Sequence, residues 1–309
     1  MLQIESPSKA SNKFALFNLG FRPFFLLATG FGALSMLIWL SIYVHGNQSL
    51  LNSKLPSTWW HAHEMVFAYA IAVIAGFLLT AVGNWTNLPM PKGRSLMGLV
   101  ALWLIARILP FTHFEQAINL MALTDLLFML SLATAIFIPI YRTKQWNQMP
   151  IVLKVLLMAA SNMLFYAALL DYIPMEMVYW GLYSGFYLVI SLIMMMGRRV
   201  IPFFIERGVP NAPIQLTNRR WLDLSSLFLF LAFMIVEVFT PYSTISELLA
   251  AALFVLHAIR LWDWYDHGIW RKTMLWVLYV GYSFIVLGFA LKALTSLLGF
   301  TPWIAIHAF

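Results

Sequence analysis

Cysteine is absent from the 309 residues. That excludes a disulfide scaffold, thiolate metal sites, iron–sulfur clusters and catalytic thiols. Charge is scarce as well. Asp, Glu, Lys and Arg make up 10% of the chain, against about 25% in average globular usage. A water-soluble domain of this size could not cover its surface with so few charges. Disorder is excluded for the opposite reason, since it needs low hydrophobicity and high charge. Glycine-rich phosphate loops are missing, as is any convincing Ser/His/Asp arrangement. Nothing resembles a nucleic-acid module. The net charge of +7 does not alter that, because the basic residues are scattered over short loops.

What fills the chain is apolar: 62% hydrophobic and 16% aromatic residues, with a mean hydropathy of +0.82. A membrane span needs about 20 mostly apolar residues. Runs of that kind lie near 23–44, 61–82, 95–111, 118–140, 151–170, 175–197, 222–240, 245–262 and 273–293. A tenth begins near 302 and is cut by the chain end at Phe309. The expected fold is all-α, a single polytopic transmembrane helix bundle over 1–309, with about ten spans, the last incomplete, and a cytoplasmic segment at 1–20. A β-barrel does not fit, because the runs are too long and continuous for alternating strands of about 10 residues. Lys9, Lys13 and Arg22 precede a span with no small-residue cleavage site after it, so the N-terminus does not read as a signal peptide.

Lys and Arg set the direction. With these spans, 16 of the 19 basic residues fall on one side, while Lys54, Arg107 and Lys292 fall on the other. The crowded side is expected to be cytoplasmic. His61, His63 and Glu64 then sit at the outer end of the second span. Arg107, Asp125, Glu237 and His307 lie near the outer ends of theirs. Ionisable groups inside spans cost about 2.5–3.5 kcal/mol each at the helix centre, so they are expected to pair. Arg107 is expected to pair with Asp125 or Glu237. The plainer reading of these groups is helix stapling or snorkelling to the interface.

The densest chemical signal is Trp59-Trp60-His61-Ala62-His63-Glu64-Met65. The two tryptophans fit an interfacial belt. His61 and His63 are two apart, about 200° on a helix of 3.6 residues per turn, so a regular helix cannot turn both to one metal. Either one binds while the other meets a different partner, or the helix starts near His63 and His61 hangs from the loop. Imidazole is the commonest metal ligand and a usual ligand of haem iron. Copper also suits imidazole and thioether donors where thiolates are absent. Gly181 and Gly185 form a GxxxG in the sixth span, a helix-packing signal. Gly30, Gly32, Gly281 and Gly288 are expected to allow close helix contact too. Pro202, after Arg198-Arg199, is expected to force departure from regular helix.

Four strings together resemble the NnrS family of polytopic bacterial membrane proteins. They are Gly20-Phe21-Arg22-Pro23-Phe24-Phe25, His61-Ala62-His63-Glu64-Met65, Gly76-Phe77-Leu78-Leu79-Thr80-Ala81-Val82 with Asn84-Trp85, and Gly197-Arg198-Arg199-Val200-Ile201-Pro202-Phe203-Phe204. The resemblance runs from about 20 to the chain end. It implies a haem- and copper-containing protein of the bacterial inner membrane, linked to nitric-oxide metabolism or nitrosative-stress tolerance, without a defined reaction. The haem is expected to be b-type. Expected cofactor-binding residues are His61, His63, His307 and Arg107, the last toward a haem propionate. Expected metal ligands are His61, His63 and Glu64, with Glu64 alternatively orienting its neighbouring imidazole. Family members typically carry about twelve spans, so this chain is expected to be a truncated form. Expected partners are the lipid bilayer and nitric oxide, with a homo-oligomer or a respiratory partner left open and no nucleic acid. Two other classes compete: a cofactor-free proton- or ion-coupled transporter using Arg107, Asp125 and Glu237, and a structural partner of a respiratory complex.

Overall fold

The structure, a computed structural model, describes residues 15–46, 48–210 and 213–309. Lys9, Lys13 and the rest of 1–14 lie outside them. Among the described residues there is helix and no strand, and nine helices are long and apolar enough to cross a membrane. They are α1 (Phe21–His45), α2 (Ser57–Thr86), α3 (Arg94–Ile108), α4 (Ala117–Arg142), α5 (Met149–Leu169), α6 (Met177–Gly208), α7 (Arg220–Phe239), α8 (Ser243–Asp263) and α9 (Thr273–Ala293). Two short helices follow, α10 (Thr295–Leu298) and α11 (Pro302–Ala308).

The apolar runs form helices because a bilayer leaves no other way to satisfy each backbone group. The hydroxyls within them obey the same constraint. Thr29, Thr80, Thr86, Thr124, Thr134 and Ser161 each donate to the carbonyl four residues earlier. Leu26, Leu37 and Leu40 of α1 are exposed, as are Phe228 of α7 and Leu248 of α8. Apolar patches of that extent are not tolerated in water; here lipid faces them. The protein is a multi-pass membrane protein.

The chain packs as two compact units, Met1–Gly185 and Phe186–Phe309, with the division inside α6. In the first, α1 packs on α2, α2 and α3 on α4, and α4 on α5. In the second, α7 packs on α8, α8 on α9, and α9 on α11. Positive-φ residues end two helices of the first unit: Gly46 after α1 and Asn87 after α2.

Two expectations change. The sixth helix does not stop near 197 but runs through Pro202 to Gly208. Proline removes one backbone bond, and Ile201, Ile205 and Val209, buried at intervals of four, hold the turns beyond it in place. The tenth run is incomplete, as expected, and forms the seven residues of α11, about 10 Å of helix. Proline stands at its start, where a missing N–H costs nothing. Of the paired glycines, Gly32 meets the Tyr69 ring and Gly288 the Phe309 ring, whereas Gly30 and Gly281 have no side-chain neighbour within 4 Å.

Candidate functional site

The residues that the second, third, fourth and fifth helices turn inward form one polar cluster. α2 is regular over Ser57–His63, π-helical over Glu64–Ala70, and regular again from Ile71. The wider winding is rare and recurs at functional positions. It frees backbone groups, and Trp103 of α3 donates its indole N–H to the Ala68 carbonyl at 3.2 Å. At the start of this segment His63 and Glu64 are both fully buried.

His63 Nδ1 lies 3.1 Å from Glu64 Oε1, and His63 Nε2 lies 2.9 Å from Asn162 Oδ1 on α5. Arg107 on α3 donates through Nη1 to Glu64 Oε2 at 2.7 Å and through Nη2 to Asp125 Oδ1 on α4. Asp125 Oδ2 accepts from the Tyr166 hydroxyl at 2.7 Å and from the Asn162 amide at 3.5 Å. Because that amide nitrogen must face the acceptor-only carboxylate, the Asn162 oxygen is the atom turned to His63. Both nitrogens of the His63 ring therefore meet acceptors.

Arg107 thus pairs with Asp125, and with Glu64 rather than Glu237. Glu237 pairs with Lys292 at 2.7 Å in the second unit. His61 and His63 diverge as their spacing requires: His63 points into the cluster, while the His61 ring stacks on Trp39 of α1 at 4.6 Å and 8°. Asn162 and Tyr166 were not singled out from the sequence. Their only signal was an amide and a phenol in an otherwise apolar run. Replacing Tyr166 with Phe withdraws one hydrogen bond from a buried carboxylate. The expected cost is about 1.5–3 kcal/mol, read by thermal unfolding in detergent.

The NnrS family model, described as NnrS protein, matches residues 15–309. The chain belongs to the NnrS family. No curated protein and no solved structure matches it. In this NnrS chain two of the motif strings meet directly. Gly20 lies against the Leu79 side chain, and Gly76 against Phe24 and the Phe25 ring. A methyl group at either glycine would hold α1 off α2, so these motifs serve helix approach. Arg22 donates to the Ala15 carbonyl at 2.8 Å, tying the N-terminal turn to the start of α1.

The remaining expected ligand, His307, lies in α11 of the second unit. Its Nδ1 lies 2.7 Å from the Trp303 carbonyl. A carbonyl only accepts, so Nδ1 is the donor and Nε2 is the ring nitrogen turned away from it. His45 repeats this arrangement on the Ser41 carbonyl at 3.0 Å. Among the described residues no three His, Cys, Asp or Glu side chains are grouped to hold a metal. His63 and Glu64 have both nitrogens and both oxygens engaged by protein partners. In the arrangement seen, they fit an internal ion network better than a ligand set.

Proposed function

We propose that this NnrS chain is a haem- and copper-binding protein of the bacterial inner membrane that acts in nitric-oxide metabolism or the nitrosative-stress response. Membership of the NnrS family over 15–309 is the observation that carries the reading. Two features of the chain support it. His307 offers a ring nitrogen whose orientation is fixed from the other side, the usual preparation of an imidazole ligand. In the first unit, Arg107 Nε and Trp60 Nε1 are buried donors without a hydrogen-bond partner. Buried donors are seldom left so, and an acceptor group such as a carboxylate would satisfy them.

In this proposal His61 within the first unit and His307 within the second are each a separate candidate imidazole for iron or copper. Arg107 bridges Glu64 and Asp125 and offers its free Nε to a propionate. Glu64 holds His63, and that pair with Asn162 keeps the Arg107 guanidinium in place. A bound haem or copper would supply a site for nitric oxide and for electron transfer.

A second reading is favoured by the same cluster. Buried Arg107, Asp125, Glu64 and His63 are the residue types of a proton relay, as in a cofactor-free proton- or ion-coupled transporter. One preparation separates the two. The protein purified in detergent is expected to carry iron and copper and to show a Soret band, with His307→Ala losing most of that band at unchanged melting temperature. Metal-free protein that drives proton flux in vesicles would replace the haem reading with the transporter. Haem retained unchanged in His307→Ala would remove the ligand assignment alone.

A further inference from the structure

The second unit buries a tyrosine against a histidine. Tyr282 of α9 places its hydroxyl 2.8 Å from His257 Nδ1 on α8. Both side chains are buried, and His257 Nε2 has no hydrogen-bond partner. The sense of the bond follows from counting orphans. Were Nδ1 the donor, the phenolic hydrogen would be left unmatched as well as Nε2. With Tyr282 donating, only Nε2 is left. Two rings and a glycine enclose the pair. Phe289 of α9 lies on the His257 ring at 5.6 Å and 14°. Gly197 of α6 brings its backbone against the Tyr282 ring, where a Cβ would stand 3.2 Å away. Trp264, just past α8, has its ring centroid 5.0 Å from that of Tyr282. Trp264 also lines a small cleft, open on one side, with Asn218, Arg219 and Arg260. One turn from His257, Arg260 is paired with Asp223 at 2.9 Å.

A phenol gives up an electron readily only where its proton can leave at the same moment. An exposed tyrosine hands that proton to water. A buried one needs a base already hydrogen-bonded to it, and imidazole both takes a proton and returns it. The electron needs a separate way out. Trp264 supplies it, reaching from the Tyr282 ring to the open cleft. A side chain kept only to close the hydrogen bond of a phenol has no use for a second polar nitrogen. Buried polar atoms are seldom left without a partner, so the bare Nε2 marks a position where imidazole itself is needed.

We propose that Tyr282, His257 and Trp264 form a one-electron oxidation site, a sink for small oxidising radicals. An oxidant of the nitrogen dioxide class takes one electron at Trp264 and leaves as nitrite. Tyr282 refills Trp264. As that electron goes, the phenolic O–H bond breaks and the proton forms an N–H bond at His257 Nδ1. The products are a neutral tyrosyl radical and an imidazolium. A one-electron reductant such as ascorbate restores the phenol, with the proton coming back from Nδ1. The inference does not depend on the haem reading.

The test uses the full chain in detergent, with its histidines isotope-labelled at nitrogen. Ruthenium tris-bipyridine with persulfate, excited by a flash, supplies the one-electron oxidant. The sample is frozen and read by electron paramagnetic resonance. Wild type is expected to give a tyrosyl radical coupled to an imidazole nitrogen, and ascorbate is expected to erase it. Tyr282→Phe is expected to lose the nitrogen-coupled signal. His257→Gln keeps a hydrogen-bond acceptor but no base, and is expected to lose most of the radical at an unchanged melting temperature. Trp264→Phe keeps a ring in place and is expected to slow radical formation. Tyr172→Phe, at an exposed position of the first unit, is expected to leave the nitrogen-coupled signal unchanged. A wild-type radical without nitrogen coupling, or a coupled signal that persists in Tyr282→Phe, would overturn the inference. So would an undiminished yield in His257→Gln or an unslowed one in Trp264→Phe. Should Tyr282→Phe fail to fold, the nitrogen coupling in wild type decides.

Discussion

Arg107→Ala is expected to destabilise the protein by about 3–5 kcal/mol, the cost of breaking a buried ion pair from one side. The guanidinium bridges Glu64 and Asp125, and all three side chains are buried. Alanine leaves two carboxylates facing each other across apolar surroundings, with only His63, Asn162 and Tyr166 to answer them. A chain of this kind has total stability of the same order as that loss, so the variant should melt far below wild type or fail to accumulate. Two further variants separate lost charge from lost packing. Arg107→Lys keeps the charge but cannot span both carboxylates, and should fall between wild type and Arg107→Ala. Adding Asp125→Asn to Arg107→Ala removes one uncompensated charge, and should recover part of the loss. A melting temperature for Arg107→Ala within a degree of wild type would show that the network contributes nothing to the fold.

The spans were legible because a bilayer imposes a length and a polarity that few other settings share. The boundaries were less so. The run ending near 197 looked complete, since Arg198, Arg199 and Pro202 follow in the pattern of a stop. The helix continues because Ile201, Ile205 and Val209 bury one face beyond the proline.

At the site, spacing carried the correct divergence of His61 and His63, and charge sign carried the pairing of Arg107 with Asp125. Nothing in the local sequence marks the π-helical turn over Glu64–Ala70, because its residues are as apolar as a regular helix would need. Asn162 and Tyr166 escaped notice for a related reason. Each is uncharged, and its meaning comes from Asp125, some 40 positions earlier in the chain. Arg260 read as one more basic residue at a span end, yet it is buried against Asp223 and Ser226. Basic side chains that set topology and those that build a pocket look alike until their partners are known.

Gly181→Leu is expected to be the most damaging single change in the first unit that involves no charge. A Cβ at Gly181 would lie 2.6 Å from the Phe165 backbone nitrogen, 2.8 Å from the Ser161 carbonyl oxygen and 2.9 Å from the Phe165 Cα. These are backbone atoms of α5, which cannot turn aside as a side chain can. Gly185, one turn along, has the Phe67 ring pressed against it. The GxxxG spacing therefore marks a real crossing, in which α6 lies directly on α5 and on the π-helical segment of α2. Forcing α6 away also disturbs α5, which carries Asn162 and Tyr166, so the loss should exceed the roughly 1–3 kcal/mol of ordinary overpacking. Gly181→Ala should cost less than Gly181→Leu but still lower the melting temperature, whereas Gly98→Ala, at a position with no neighbour within 4 Å, should be neutral or stabilising because alanine favours helix. The three variants purified in one detergent and melted side by side check the order. If Gly181→Ala behaves like Gly98→Ala, α6 does not approach α5 as closely as these distances require, and the support it lends to the polar cluster is lost with it.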